Sequence, residues 1–125
     1  MSHITTMQTS VKFKDEALLR QALNNIPGGT VGTTITDYYG TATEVEMSVK
    51  TDQFERGIGF NKAEDNVFIP QMDEYGYTSQ ANTLMNQIQT QYRKFAVQQY
   101  YESKGYSVEV EETSPVEAQI HVRGY

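Results

Sequence analysis

No cysteine occurs anywhere in the 125 residues. That excludes a disulfide scaffold, a zinc ribbon and thiolate chemistry. Basic residues are scarce as well: 10 Lys and Arg stand against 16 Asp and Glu, for a net charge of −6, and only Arg93 and Lys94 are adjacent. A chain with so few clustered cations cannot neutralise a run of phosphates, which argues against nucleic acid as a partner. No stretch approaches the ~20 apolar residues of a membrane span. The opening Met1-Ser2-His3-Ile4-Thr5-Thr6 has no basic start leading into an apolar run, so no secretory signal is read, and no cysteine is present to carry a C-terminal lipid. The expectation is a soluble, cytoplasmic protein. No repeat, low-complexity tract or long linker is read, and the length corresponds to one domain over residues 1–125.

The hydropathy pattern predicts an α+β fold. His3 to Phe13, rich in Thr and Val, reads as a strand with a bulge near Thr5-Thr6. Asp15 is placed to cap a helix that carries Ala17, Leu18, Ala22 and Leu23 and stops at Pro27-Gly28-Gly29. Val31–Tyr38 and Thr43–Lys50 form two strands around Gly40, with Val45, Met47 and Val49 alternating against Glu44, Glu46 and Ser48. Phe54, Ile58 and Phe60 alternate next. After a turn at residues 61–65, Val67-Phe68-Ile69 makes a short strand closed by Pro70. The longest element is a helix from about Ser79 to Lys104, capped by Thr78 or Ser79 and stopped by Gly105, with Ala81, Leu84, Met85, Ile88, Tyr92, Phe95 and Ala96 on one stripe. At 1.5 Å per residue it is about 39 Å long, so it must cross a whole sheet, overhang it or bend. The tail reads as a hairpin turning at Thr113-Ser114-Pro115. Of two registers that keep its apolar residues together, one opposes Glu111 to Glu117. The other opposes Glu109 to His121 and Glu111 to Gln119, and it avoids that like-charge pair. The order is β-α-β-β-β-β-α-β-β: an antiparallel sheet of about six to seven strands with one short and one long helix on one face.

Motifs that carry chemistry are missing. Gly28-Gly29-Thr30-Val31-Gly32 has neither the lysine nor the following helix of a phosphate loop. Gly57-Ile58-Gly59 lacks the third glycine of a dinucleotide fingerprint and marks a close backbone approach, here placed beneath the long helix. A metal site would have to pair the distant His3 and His121 with a carboxylate, so no metal or other cofactor is assigned. Glu44 with Glu46, Asp73 with Glu74 and Glu109 with Glu111 read as solvated pairs rather than a tuned acid and base. No serine sits in a nucleophile elbow, and no catalytic residue is named.

Tyrosine is the abundant feature, nine in all: the doublets Tyr38-Tyr39 and Tyr100-Tyr101, with Tyr75, Tyr77, Tyr92, Tyr106 and Tyr125. Its apolar body and polar tip suit interfaces as well as core edges. Adjacent residues on a helix diverge by ~100°, so Tyr100 and Tyr101 cannot share one stripe. The outer face of the long helix, with Gln87, Gln91, Gln98 and Tyr101, is nearly uncharged, as a face that meets a second copy or a partner helix would be. The first expectation is therefore a non-enzymatic binding or adaptor protein, self-associating through this helix. The alternative is a binder of a flat anionic small molecule, with Arg56, Tyr92, Arg93 and Tyr101 lining a pocket between helix and sheet.

An ordered set of segments resembles a small family of conserved proteins of unknown function from cyanobacteria and plastids. It comprises the Met1-Ser2-His3-Ile4-Thr5-Thr6 start, Gly57-Ile58-Gly59-Phe60-Asn61 with Glu64-Asp65, Gln91-Tyr92-Arg93-Lys94-Phe95-Ala96, and Lys104-Gly105-Tyr106-Ser107-Val108 running through Glu111-Glu112 to Ile120-His121-Val122-Arg123. The chain departs from that pattern in the glycine-rich stretch Pro27-Gly28-Gly29-Thr30-Val31-Gly32. It departs again in ending Arg123-Gly124-Tyr125, where the family tends to end in arginine and tryptophan. Such departures suit a divergent or phage-borne relative. The resemblance transfers no catalytic residue. It implies an accessory role beside an AAA-type ATPase or a ferredoxin, in a cytoplasmic or plastid-stroma-like compartment.

Overall fold

In a computed structural model the described residues are 4–6, 11–114 and 117–123, with side chains described as far as residue 106. The elements are β1 (Thr5–Thr6), α1 (Glu16–Asn24), β2 (Thr30–Thr36), β3 (Ala42–Lys50), β4 (Ile58–Lys62), β5 (Phe68–Met72), α2 (Thr78–Ser103), β6 (Ser107–Ser114) and β7 (Glu117–Arg123). Their order is the expected one. Five strands form one antiparallel sheet in the order β1-β5-β4-β3-β2, while β6 and β7 pair only with each other. The expectation of six to seven strands in one sheet is corrected to five plus a separate ribbon. The long helix supplies the reason. Its buried residues fall between Ala81 and Lys94, whereas Gln99, Tyr100, Glu102 and Ser103 are exposed. The last turns thus overhang the core and deliver the chain beyond reach of the sheet, where β6 and β7 contact α2 instead. Their register opposes Glu109 to His121 and Glu111 to Gln119, as the charge argument favoured. Pro115, and with it the centre of the expected turn, lies outside the described residues.

Local chemistry accounts for most boundaries. Asp15 caps α1 by accepting the Leu18 amide at 3.1 Å. At the end of α2, Gly105 takes φ +85° and the Tyr106 amide bonds back to the Tyr101 carbonyl at 3.1 Å, a left-handed C-terminal stop. The start of α2 departs from expectation. Tyr77, not Thr78 or Ser79, holds the cap position, and its side chain makes no cap hydrogen bond, being none of the short polar types that reach the first helical amides; the incoming turn bonds the Tyr77 amide to the Glu74 carbonyl. Of the strand expected over residues 3–13, residues 3 and 7–10 lie outside the described residues, and the described part comprises β1 at Thr5–Thr6 and a bridge at Phe13. Phe13 makes only an isolated bridge to Phe68, four residues out of register with the Thr6–Gln71 pair. β5 runs through Pro70 rather than closing there. A proline without an N–H is tolerated because the Phe68 amide, on the same edge two residues earlier, goes to the Phe13 carbonyl, so position 70 also faces away from β4.

Both helices lie on one face of the sheet. Leu19, Ala22 and Leu23 of α1 and Ala81, Leu84, Met85 and Ile88 of α2 close over Met47, Val49, Ile58, Phe60, Phe68 and Met72. Phe13 ties the layers together, edge-on to Phe60 at 5.3 Å and to Tyr92 at 5.0 Å. The opposite face carries a smaller apolar contact. Gly59 lies between Ile58 and Phe60, so it faces away from the helices, and Val45 and Ile35 fill the space its side chain would occupy. The close approach read from Gly57-Ile58-Gly59 is real, but the hairpin rather than the long helix makes it. A register shift opposite Gly32–Thr34 lets β3 bring Val45 to this side while Met47 and Val49 stay on the helix side. The β2–β3 hairpin consequently curls over β4, until the Thr36 amide bonds the Arg56 carbonyl at 2.9 Å. Among the described residues no helix is long and apolar enough to cross a membrane.

Candidate functional site: two tyrosine turns clasped by Asp73 and Arg56

The curl of the hairpin brings the β2–β3 turn against the β5–α2 turn, and the two turns are built alike. Asp37-Tyr38-Tyr39-Gly40 and Asp73-Glu74-Tyr75-Gly76 both read Asp-x-Tyr-Gly. In each, the aspartate Oδ1 accepts the amide of the tyrosine two residues on, at 2.9 Å for Tyr39 and 3.1 Å for Tyr75. In each, the glycine takes a left-handed φ, +81° at Gly40 and +77° at Gly76. The aspartate offers its own side chain as a turn acceptor, and glycine alone enters the next conformation without strain.

Asp73 also joins the turns. Its Oδ2 accepts the Tyr38 amide at 2.8 Å, and Arg56 Nη1 lies 3.7 Å from its Oδ1. The same Arg56 nitrogen donates to the carbonyls of Asp73 at 3.1 Å and Tyr75 at 2.7 Å. Only 2% of the Asp73 side chain and 13% of the Arg56 side chain are exposed. The guanidinium lies beneath two rings, 4.9 Å from the centroid of Tyr77 and 5.5 Å from that of Tyr38. Tyr38 in turn packs edge-on against Tyr39 and Tyr75, at 5.2 and 5.3 Å. Above this clasp Tyr38, Tyr39, Tyr75 and Tyr77 are all exposed, from 46% to 70%. A groove of about 310 Å³ runs beside Arg56 and Tyr77, lined also by Asp52, Gln53, Phe54 and Glu55.

Asp73 is thus neither solvated nor one of a free acidic pair, as its sequence neighbourhood had suggested. Two backbone amides and a guanidinium occupy it. The signal that could have found it was the repeated tetrapeptide. The residues expected to line a helix–sheet pocket are not brought together. Arg56 lies by Tyr77 at the start of α2, whereas Tyr101 sits about 36 Å further along the helix. Tyr92 is buried, and its hydroxyl accepts the amides of Lys14 and Asp15 at 3.2 and 3.1 Å. Arg93 is exposed.

The outer helix face is only partly open. Gln91 is buried within its own chain at 2% exposure, and Gln87, Gln98 and Tyr101 are half-buried. Gln98 lines a groove of about 450 Å³ between α1 and α2, with Leu18 and Phe95. Tyr100 and Tyr101 do divide as helical geometry requires, Tyr100 outward and Tyr101 half-buried. No cluster of three His, Asp or Glu placed to hold a metal occurs among the described residues. His3 and the His121 side chain lie outside them. Comparison with protein-family models, curated proteins and solved structures returned no match.

Proposed function

We propose that the chain is a binding or adaptor module that docks a partner protein through its two tyrosine turns. The observation that supports this reading is four exposed phenols on two turns, with the Tyr38 and Tyr75 backbones held by the buried Asp73 and by Arg56 and the Tyr39 amide held by Asp37. Large, stiff, amphipathic rings flanked by Gly, Thr and Ser are the composition of protein-binding loops, since tyrosine adds contact area with few rotatable bonds to freeze. Pre-organisation lowers the ordering penalty of association further. The sequence resemblance makes an AAA-type ATPase and a ferredoxin the first partners to titrate.

A photo-crosslinking residue placed at position 39 in the cell that encodes the chain tests the proposal. The expected result is one discrete protein adduct, whose purified partner binds the wild-type chain and not the Tyr39→Ser/Tyr75→Ser variant. The same crosslinker at position 98 probes the α1–α2 groove. A partner captured there and not at position 39, and bound equally by the tyrosine variant, would refute the proposal and return the interface to the long helix.

A further inference from the structure

We infer that the tyrosine turns recognise an arginine-bearing segment of the partner, with guanidinium groups laid on the exposed rings and against an acidic lip. This rests on the turns being the docking surface, and it is carried by their charge and by what they already hold. The three loops that form the site, residues 37–41, 51–57 and 73–79, carry five acids (Asp37, Asp52, Glu55, Asp73, Glu74) and one base, Arg56. Asp37, Asp73 and Arg56 are committed to the clasp. What faces outward is Asp52 and Glu55, both exposed, and the half-buried Glu74. A phenol platform with carboxylates beside it complements a cation, and a chain of net charge −6 disfavours a second copy of itself there.

The choice of arginine follows from geometry. Tyr77 and Tyr38 already take the Arg56 guanidinium from below, which shows that these rings accept a planar cation. The groove, at about 310 Å³, is at the small end of ligand cavities. It has room for one long side chain, and its lining brings Tyr77 together with Asp52 and Glu55. A guanidinium can stack on a ring and bond a carboxylate with its fork at once, whereas an ammonium is a strongly hydrated point charge. The rings and the lip together select the planar cation.

The test uses the full chain and labelled Gly/Ser peptides carrying several arginines, the same number of lysines, or the same number of glutamates, with binding read by fluorescence anisotropy. The arginine peptide is expected to bind about fivefold more tightly than the lysine peptide, and the glutamate peptide not at all. Tyr39→Ser/Tyr75→Ser should weaken the arginine peptide about tenfold. Asp52→Asn/Glu55→Gln should weaken it and flatten its salt dependence. Equal binding of arginine and lysine peptides, or binding untouched by the tyrosine variant, would overturn the inference as general electrostatic attraction. So would concentration-dependent dimerisation that the tyrosine variant abolishes, seen by light scattering. If the crosslinked partner is captured at position 39 but the arginine peptide neither binds nor competes with it, the arginine assignment fails while the docking surface stands. If no partner depends on the tyrosines, the docking surface itself fails.

Discussion

The Gly59→Ala variant tests the packing that assembles the site. A Cβ at position 59 would stand 2.7 and 2.9 Å from the two Val45 methyls and 3.1 Å from Ile35 Cγ2. Carbon atoms rest near 3.5–4.0 Å, so both neighbours must retreat by roughly half an ångström to an ångström. Val45 and Ile35 are buried. Overpacking of this kind costs about 1–3 kcal/mol, and the alanine returns about 0.5–1 kcal/mol by restricting the unfolded backbone. From the middle of those ranges the net expectation is a loss of about 1 kcal/mol, or roughly 3–6 °C in melting temperature at this chain length. Urea denaturation measures the loss. Val45→Ala vacates the contested space, so in the Gly59→Ala/Val45→Ala double variant the losses should fall short of additivity by about 1 kcal/mol or more. Lifting the hairpin from β4 also draws the Tyr38 amide from Asp73, and its hydrogen exchange should quicken in the single variant more than in the double one. Stability unchanged within about 0.5 kcal/mol, or strict additivity with Val45→Ala, would refute the packing argument.

Asp73→Ala should cost about 2–4 kcal/mol in urea denaturation, because it strips two backbone amides of their acceptor and leaves a largely buried guanidinium without its carboxylate. Tyr92→Phe should lower stability by about 1–2 kcal/mol with its ring packing retained, since the hydroxyl that accepts the Lys14 and Asp15 amides is the only group removed. Asp15→Ala should cost about 1 kcal/mol through the lost α1 cap. Arg20→Ala should change stability by less than about 0.5 kcal/mol, because its ion pair with Glu16 lies in solvent; thermal denaturation of the two variants separates the cap from the salt bridge.

The periodicities that a single strand or helix imposes on itself were legible. Asp15 as a cap, Gly105 as a stop, the stripe from Ala81 to Tyr92 and the ribbon register could all be read from spacing and charge. What could not be read depends on contacts between distant positions. Strict alternation put Val45 beside Met47, and only the register shift against β2 turns Val45 to the opposite face. Arg56 was singled out for its chemistry yet assigned to the wrong end of α2, because nothing near it in sequence announces that Thr36 will bond its carbonyl. Asp73 looked like any loop acid. Its burial follows from Tyr38, 35 residues away, donating an amide to it. Gln91 looked free because the helix was read with one packed side, whereas its side chain is buried together with Tyr92 and Lys94.

Stability alone does not explain the tyrosine turns. None of Tyr38, Tyr39, Tyr75 and Tyr77 belongs to the apolar core that joins sheet and helices, and each leaves close to half its surface or more in solvent. Burying an aspartate and most of an arginine is unfavourable unless their hydrogen bonds are met, and here those bonds go to the backbone that carries the rings. The energetics therefore run one way: the clasp holds the rings, and the rings add little to the fold. Asp73→Ala should cost stability and binding together, whereas Tyr39→Ser/Tyr75→Ser should cost binding with stability nearly unchanged. A tyrosine variant that melts as early as the aspartate variant would make the rings part of the scaffold and remove the physical ground for reading them as a docking surface.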